Sequence, residues 1–451
     1  MTLPPAYHLP GWRGGPATRR IGATTLRVPD LVAVEVESVS SGLRDAARVL
    51  RAETLQGRVS RVASVCEQLR RSGPRDWRTA LVASTGLSPA GLDAAWDVTF
   101  APLSAEALHE ALARESLDDA ILAQSSARVP EQILHVLAGN VLAPTVQMLV
   151  RGWLLGAAQW LRPASREPLF AACVCAQLDD IAPELAACTA VLWWPHASET
   201  EAAVVRASPT ITVQGDDASV EGLRLRVGEV RPNATFVGYG SRWSCALLSA
   251  SALHAANATA LVRDVSLFDQ QGCLSPTYAF VQRTPQLETW CNELAAAFSA
   301  LESRMPRGRP SAAARAGLRH WHETTRLKQV LGSVQGFWED SIRWGVALAA
   351  APDALDTPLD RHLVVVPFDS IQELQDMLAP RARRLQGVAF DLEGWEPALR
   401  EQALGVMRPS RAAAVGSLQL APPAWPQDHK PPLGSLWGRG RNAAQVTRPR
   451  A

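Results

Sequence analysis

Cys273 is the residue of this chain whose surroundings point most directly to chemistry. It stands in the segment FDQQGCLSP, residues 268–276, between Gly272 and a turn that Pro276 closes. Glycine lets a backbone approach a substrate closely, and the amide of Gln271 can orient a carbonyl group without acting as an acid or base. A thiol presented in this way is a candidate nucleophile, with Gln271 and Gly272 as substrate-orienting residues. The competing interpretation is a core residue, since cysteine outside disulfides is among the most buried residue types.

Composition limits the kind of protein that carries this thiol. A chain of 451 residues exceeds what one hydrophobic core serves, so we expect two domains. Its 45 Lys and Arg against 44 Asp and Glu give no electrostatic bias toward nucleic acid or a membrane. The seven cysteines show neither a disulfide pattern nor zinc-ligand spacing, so no metal is expected. The first residues, MTLPPAYHLPGWRGG, lack the apolar stretch of a signal peptide, which favours the cytoplasm.

One apolar stretch, residues 133–161, needs to be distinguished from a membrane span. It carries a single full charge, Arg151, but Gly139-Asn140 and Pro144 interrupt it. Neither part reaches the roughly 20 apolar residues that cross a bilayer. The pattern instead predicts a buried strand, a tight turn and a helix that runs on to about Pro163, the first unit of a cofactor domain with no membrane span.

The spacing of apolar residues along the chain predicts four regions. Residues 1–129 are predicted to be mainly helical, with a helical pattern over 43–69 and a helix start at Ser88-Pro89. Residues 130–252 alternate short strands and helices, which predicts a parallel-sheet cofactor domain. Residues 253–410 repeat that alternation as a catalytic α/β domain, and 411–451 end in a basic tail that we expect to be disordered. The predicted strands are 190–194, 210–213, 235–237, 278–282, 362–367 and 387–390, and the helices after Cys273 are 287–301 and 371–378.

The segment QQGC followed by LSP resembles the active-site segment of the LuxC-type acyl-CoA reductases, relatives of the aldehyde dehydrogenases. Further segments match that family in the same order, and the resemblance extends from about residue 43 to 436. These segments are LHVLAGNV (134–141), RPASREP (162–168), VLWWP (191–195), VQGD (213–216), GYGSR (238–242) and RPSR with the residues that follow it to Trp425. The resemblance implies an aldehyde-dehydrogenase-like α/β fold, with a parallel-sheet cofactor domain and an α/β catalytic domain.

The resemblance also assigns roles at the reacting centre. It implies that Cys273 forms an S-acyl enzyme, and that the Asn140 side-chain amide and the backbone N–H of Cys273 hold the oxyanion. From the residues alone, Asn140 after glycine is an ordinary turn residue.

For the cofactor, the resemblance implies that Arg162 and Ser165 contact the adenosine end, while Gly215 and Asp216 lie against the nicotinamide and pyrophosphate. Arg162 replaces the family's lysine, and its guanidinium can pair with a 2′-phosphate, which favours NADPH. Without the resemblance, Arg162 is as well explained as a solvated residue after a helix, and Gly215-Asp216 as a simple turn.

The implied activity is NADPH-dependent reduction of a fatty acyl thioester, on coenzyme A or on an acyl-carrier or acyl-transferase protein, to the aldehyde. Relatives also imply a homo-oligomer. The alternatives are an oxidative aldehyde dehydrogenase and an inactive partner of an acyl-transferring protein. Hydrolytic aldehyde dehydrogenases use a glutamate where this chain has Gly238, and no carboxylate occurs from Arg231 to Arg263. Without a base to activate water, the oxidative alternative is disfavoured.

Three histidines are candidate partners of the thiol. His135, at the end of a buried strand, is predicted to be a hydrogen-bonded structural residue. His320 and His322 stand in a basic helical stretch and are predicted to face solvent or an acyl carrier.

Overall fold

The computed structural model describes residues 5–21, 24–123, 129–139, 141–339 and 341–436. The chain forms two compact units. Among the described residues, the first unit contains those up to Thr85, those from Trp96 to Gly240 and those from Pro422 onward; the second contains Gly86–Ala95 and Ser241–Ala421. The units therefore divide after residues 240 and 421, whereas the sequence placed its boundaries at 252 and 410.

The N-terminal region begins with an antiparallel hairpin, which the sequence did not predict, and continues as helices. The elements are β1 (Ala17–Ile21), β2 (Thr24–Val28), α1 (Ala33–Ala52), α2 (Leu55–Ser72), α3 (Arg78–Thr85), α4 (Pro89–Phe100), α5 (Ala105–Arg114) and α6 (Asp119–Ala123). The helical pattern over 43–69 is divided between α1 and α2. The break occurs because the Thr54 hydroxyl accepts the N–H of Gly57 and so caps a new helix.

The first unit contains a five-stranded parallel sheet in the order β5-β4-β3-β6-β7. Its elements are β3 (Gln132–Val136), α7 (Ala143–Leu155), β4 (Ala158–Arg162), α8 (Phe170–Ile181), α9 (Pro183–Ala187), β5 (Thr189–Val191), α10 (Glu199–Ala207), β6 (Thr210–Gln214), α11 (Asp217–Val230) and β7 (Thr235–Tyr239). The chain leaves β3 toward β4 and β5, then returns to place β6 on the other side of β3. Parallel α/β sheets bind ligands at the carboxyl ends of their strands where the order reverses in this way.

Strand β4 corrects the sequence-based prediction, which continued a helix to Pro163. Helix α7 ends at Gly156, whose φ of +63° is the left-handed conformation that glycine adopts readily. Residues 158–162 are then all buried between β3 and β5. A strand buried on both faces has no apolar alternation, so its pattern cannot be distinguished from that of a buried helix.

The second unit contains a seven-stranded sheet in the order β10-β11-β12-β9-β8-β13-β14, parallel except for the β10–β11 pair. The elements are β8 (Trp243–Leu248), α12 (Ala255–Ser266), β9 (Pro276–Gln282), α13 (Leu287–Arg304), α14 (Ala312–Val330), β10 (Val334–Trp338), β11 (Gly345–Ala349), β12 (His362–Phe368), α15 (Ile371–Leu378), β13 (Leu385–Asp391), α16 (Pro397–Met407) and β14 (Arg411–Ala414). Across both units, the six strands and two helices predicted from the sequence are confirmed to within a few residues at their ends. The core of this unit lies on the sheet, around residues such as Phe280, Val364 and Leu374.

Within the described residues, no helix combines the length and apolar character that crossing a bilayer requires. The basic tail, residues 437–451, and Asn140 lie outside the described residues.

Candidate active site

Cys273 differs from the other cysteines in its exposure. It is partly exposed, whereas the remaining six are buried. Burial raises the pKa of the buried thiols, to about 12 for Cys66, Cys188 and Cys291. Because the thiolate is the nucleophile, these buried thiols are unreactive near neutral pH.

Cys273 occupies the first central position of a tight turn. The N–H of Ser275 donates to the carbonyl of Gly272 across 3.0 Å and closes the turn. The carbonyl of Cys273 accepts a hydrogen bond from the Ser244 hydroxyl at 2.6 Å, while Leu274 is buried. The backbone of the cysteine is therefore fixed to β8 and its neighbour is packed in the core.

The residues before this turn have a backbone that side chains rarely adopt. Phe268, Asp269 and Gln270 have φ values of +55°, +49° and +64°. A second run of three left-handed residues, 359–361, precedes β12 with φ values of +65°, +53° and +68°. Non-glycine residues in this region carry a conformational cost, so the surrounding contacts must hold them there.

The side chains of Gln270 and Gln271 connect the first left-handed run to the second run and to His362, which follows it. The Gln270 amide donates to the carbonyls of His362 at 2.7 Å and Pro276 at 2.8 Å, and it accepts the N–H of His362 at 2.8 Å. Gln271 donates to the Asp360 carboxylate at 3.2 Å. The loop before Cys273 is thus joined to the loop before β12.

A buried ion pair reinforces this junction. The Arg361 guanidinium, 1% exposed, donates to Asp269 at 2.8 Å and to Glu302 at 3.0 Å. It also donates to the carbonyl of Met305 at 2.7 Å, and Asp269 accepts the N–H of Gly308 at 2.9 Å. Because both of its carboxylate oxygens are hydrogen-bonded, Asp269 joins the loop before Cys273 to Arg361 and to Gly308.

The two residues predicted to orient substrate beside Cys273 have different surroundings. Gln271 is half-buried, and its amide is directed to Asp360. Gly272 is half-buried and supplies the carbonyl that closes the turn. Their role toward a substrate stays a prediction.

Arg162 and Ser165 lie at the carboxyl end of β4. Arg162 is the last residue of that strand and is 5% exposed; its Nε and Nη2 donate to the carbonyl of Trp194 at 3.2 and 3.0 Å. Burial lowers the pKa of this guanidinium. Arg162 therefore is not a solvated residue after a helix. Ser165 is exposed, and its hydroxyl accepts the indole N–H of Trp193 at 3.0 Å.

Gly215 and Asp216 follow the end of β6 on the same edge of the sheet. Asp216 caps α11 by accepting the N–H of Ser219 at 2.6 Å, and this hydrogen bond lowers the pKa of the carboxyl. Gly139, after β3, approaches the segment behind β4 so closely that a Cβ would lie 2.8 Å from the Ala164 Cβ. The loops after β3, β4 and β6 thus share the edge where the strand order reverses.

Two buried side chains at this edge have polar atoms without a hydrogen-bond partner among the described residues. The buried Gln214, last residue of β6, has neither its amide nitrogen nor its oxygen hydrogen-bonded among the described residues. The hydroxyl of Tyr239, last residue of β7, is also buried without such a partner. Unpaired buried groups are costly, so both are suited to hydrogen-bond a ligand.

The histidines have structural positions. His135 is buried, with Nδ1 2.8 Å from the Thr212 hydroxyl and Nε2 3.2 Å from the Gln159 amide oxygen, and burial lowers its pKa to about 3. This confirms the predicted hydrogen-bonded role. His320 is exposed as predicted, but His322 is 2% exposed, and its Nε2 lies 3.0 Å from that of His362. The prediction for His322 was wrong because its side of α14 packs on the sheet.

The residues that hold the thiol loop, Asp269, Gln270, Asp360 and Arg361, were not predicted from the sequence. Asp269 and Gln270 stand next to the motif, but nothing local indicates that they bind a segment 92 residues away. Arg166, an exposed cation directly after Ser165, was not predicted either.

Known proteins resemble this chain in sequence and in fold. The sequence model of the acyl-CoA reductase (LuxC) family matches residues 84–437. The chain belongs to the LuxC family. A long-chain acyl-protein thioester reductase of Aliivibrio fischeri is 21% identical over 272 residues, 59% of this chain. The match spans 54% of that relative, about half its length.

Solved aldehyde dehydrogenases share the fold of this LuxC-family chain. The indole-3-acetaldehyde dehydrogenase AldA of P. syringae, in complex with NAD+ and IAA, has a TM-score of 0.70 at 13% identity and covers 92% of this chain and 89% of its own. Aldehyde dehydrogenase 21 of Physcomitrella patens has a TM-score of 0.69 at 13% identity, and the match covers 95% of this chain and 94% of that protein's chain. The predicted aldehyde-dehydrogenase-like α/β fold is confirmed.

Proposed function

We propose that this LuxC-family chain reduces a fatty acyl thioester to the aldehyde through an S-acyl Cys273 intermediate, with NADPH as reductant. The observation that carries the proposal is the presentation of Cys273: it is the partly exposed cysteine, in a turn whose flanking loop is fixed by buried contacts. A nucleophile held in this way meets the geometric demand of covalent catalysis.

The Cys273 thiolate attacks the carbonyl carbon of the thioester and forms a tetrahedral oxyanion. The bond to the carrier sulfur then breaks, the carrier leaves as a thiolate that takes a proton, and the acyl group stays on Cys273. We assign oxyanion stabilisation to the Asn140 amide and the Cys273 N–H. Once the acyl carbon has accepted a hydride, its bond to Cys273 sulfur breaks, the aldehyde leaves and the thiolate is restored.

The carboxylates beside the thiol loop favour reduction over hydrolysis. Asp269 is held by Arg361 and the N–H of Gly308, and Asp360 accepts from Gln271. A carboxylate whose oxygens already accept hydrogen bonds from the protein is poorly placed to bind and activate a water. The S-acyl enzyme is therefore preserved for reduction, which argues against an oxidative, hydrolytic dehydrogenase.

The carboxyl edge of the five-stranded sheet fits a dinucleotide. A nicotinamide cofactor bound there supplies the hydride. We assign its binding to Arg162, Ser165, Gly215 and Asp216, and the unpaired amide of Gln214 suits its polar groups. Because Arg162 is buried against Trp194, we add the exposed Arg166 as the cation for the 2′-phosphate of NADPH.

The donor is proposed to be acyl-CoA, the substrate in the description of the family, or an acyl-protein thioester, the substrate in the name of the Aliivibrio fischeri relative. A homo-oligomeric state and a cytoplasmic location belong to the same proposal and await measurement.

The test combines NADPH oxidation, followed by absorbance, with mass spectrometry of the intact protein after incubation with acyl-CoA thioesters. Wild type should gain one acyl group without NADPH and form aldehyde with it. Cys273→Ala should do neither, while Cys291→Ala, which removes a buried thiol of the same unit, should behave as wild type. An adduct that persists in Cys273→Ala would refute the assigned nucleophile.

A further inference from the structure

The segment from Arg304 to Leu331 is strongly basic although the whole chain is nearly neutral. It contains seven cationic residues, Arg304, Arg307, Arg309, Arg315, Arg319, Arg326 and Lys328, against the single acidic Glu323. The rest of the chain therefore carries a net negative charge, since the total is +1. Such concentration of one sign on one element steers partners of the opposite sign.

Helix α14 presents part of this charge as a stripe. Arg315, Arg319 and Arg326 stand at positions i, i+4 and i+11, which share one side of a helix, and all three are exposed. A neighbouring side of the helix packs on the core of the second unit through Leu318, Trp321 and other buried residues. The basic side of α14 is thus held rigidly outward.

Exposed apolar side chains adjoin the stripe at the end of α14. Leu327, Val330 and Leu331 are 62%, 85% and 71% exposed. Single exposed leucines need no explanation, but three within five residues form a cluster that water solvates poorly. We name these six residues, Arg315, Arg319, Arg326, Leu327, Val330 and Leu331, the α14 surface.

A cleft of about 380 Å³ opens beside the α14 surface. It is lined by His320, Thr324 and Lys328 of α14, and across from them by the segment 353–358. Trp321 also lines it, and its buried indole N–H has no hydrogen-bond partner among the described residues. The cleft offers a place for an anchoring side chain of a bound protein.

We propose that the α14 surface docks an acidic protein that carries the acyl thioester, with its apolar residues covering Leu327, Val330 and Leu331. Protein interfaces commonly combine apolar contacts with complementary charges, and the α14 surface offers both. A membrane surface fits less well, because the apolar residues occupy only the last turns of α14 and leave no long apolar face to insert. This inference rests on the proposed thioester reductase function and names the partner surface.

The test compares two acyl donors with the same chain, a decanoyl thioester of a bacterial acyl carrier protein and decanoyl-pantetheine. The variant is Arg315→Glu with Arg319→Glu. Its control is Arg48→Glu with Arg71→Glu, which makes the same charge change at two arginines whose side chains are 73% and 79% exposed. The α14 variant should raise the KM for the carrier protein about tenfold or more without changing kcat, since charge at an interface acts mainly on association. Decanoyl-pantetheine kinetics should be unchanged in both variants.

A second double variant tests the apolar part of the α14 surface. Leu327→Ser with Leu331→Ser should raise the KM for the carrier protein severalfold and leave decanoyl-pantetheine unaffected. An unchanged KM for the carrier protein in both α14 variants, or an equal rise with decanoyl-pantetheine, would overturn the proposal.

Binding without turnover separates the docking surface from the reaction. The anisotropy of a labelled, unacylated carrier protein should show binding to wild type that weakens between 50 and 200 mM salt, and weaker binding to the Arg315→Glu/Arg319→Glu variant. Binding lost in that variant supports docking even if wild type reduces no thioester, an outcome that would refute only the proposed function. If instead phosphatidylglycerol vesicles or duplex DNA lose binding in the variant and the carrier protein does not, the surface serves another partner and the proposal fails.

Discussion

The side chain of Gln270 is hydrogen-bonded to both backbone groups of His362. Its amide nitrogen donates to the His362 carbonyl at 2.7 Å, and its oxygen accepts the His362 N–H at 2.8 Å. Because β9 and β12 are parallel neighbours, these bonds join the two loops that enter the strands, and one of those loops carries Cys273.

Replacing Gln270 by Met should loosen this junction. The N–H of His362 would lose the Gln270 oxygen, and an unpaired buried group costs about 1–3 kcal/mol. The carbonyls of Pro276 and His362 would each lose one donor, although the His362 carbonyl keeps the Thr357 hydroxyl. We therefore expect the free energy of unfolding in urea to fall by about 1–3 kcal/mol. Gln335→Met, which removes an exposed hydrogen bond to Glu288, should change stability by less than about 0.5 kcal/mol. Equal effects of the two variants would contradict the assignment.

Arg361 neutralises two buried carboxylates, so its removal should be strongly destabilising. Arg361→Met leaves Asp269 without its guanidinium partner, while Glu302 keeps its ion pair with Arg343, and breaking a buried ion pair from one side costs about 3–5 kcal/mol. The exposed pair of Arg283 and Asp369, 49% and 62% exposed, provides the control. Arg283→Met should cost less than about 1 kcal/mol, measured by the same urea unfolding. A loss below 1 kcal/mol for Arg361→Met would show that the network does not hold the fold.

Three buried histidines predict sensitivity to acid. Burial lowers the pKa of His135 and of His362 to about 3, and that of His322 to about 4, all from 6.5. The unfolded chain therefore binds more protons than the folded protein below pH 6.5. Their contribution to stability is complete above that pH and is lost as the pH falls toward 4 and then 3, by about 1.4 kcal/mol per pH unit for each histidine.

His135→Gln should reduce the slope of the unfolding free energy against pH by the contribution of one histidine. The free energy of unfolding, measured in urea at pH 7, 6 and 5, should fall less steeply in this variant than in wild type. His320→Gln, at an exposed position on α14, should leave the slope as in wild type. If His135→Gln and wild type had the same slope, His135 would be protonated in the folded protein.

Gly139 should be required for NADPH binding at the carboxyl edge of the five-stranded sheet. A Cβ at this position would lie 2.8 Å from the Ala164 Cβ and 3.2 Å from the backbone nitrogen of Glu167, so the loops after β3 and β4 would have to separate. Gly139→Ala should weaken NADPH binding about tenfold, as measured by nucleotide fluorescence, equivalent to about 1.4 kcal/mol. Gly222→Ala is the control, since a Cβ there meets nothing within 4 Å. Unchanged affinity in Gly139→Ala would move the cofactor site away from this edge.

The sequence by itself determined the features that depend on neighbouring residues. Strands such as 210–213 and 362–367 are predicted because β-branched residues form short runs there, and α15 because its apolar residues recur with helical spacing. The exposed thiol was indicated by the glycine before Cys273 and the proline after it. The exposed histidine on α14, His320, followed from its basic surroundings.

Tertiary structure decided what depends on distant contacts. Strand β4 is buried on both faces, so only its pairing with β3 and β5 distinguishes it from a helix. His322 is buried because α14 turns that side to the sheet, and Gln270 reaches His362 across 92 residues of sequence. The spacing of apolar residues along the chain indicates which faces of a helix or strand are apolar. Strand order and register determine which distant segments come into contact, and the contacts that hold the Cys273 loop form between such segments.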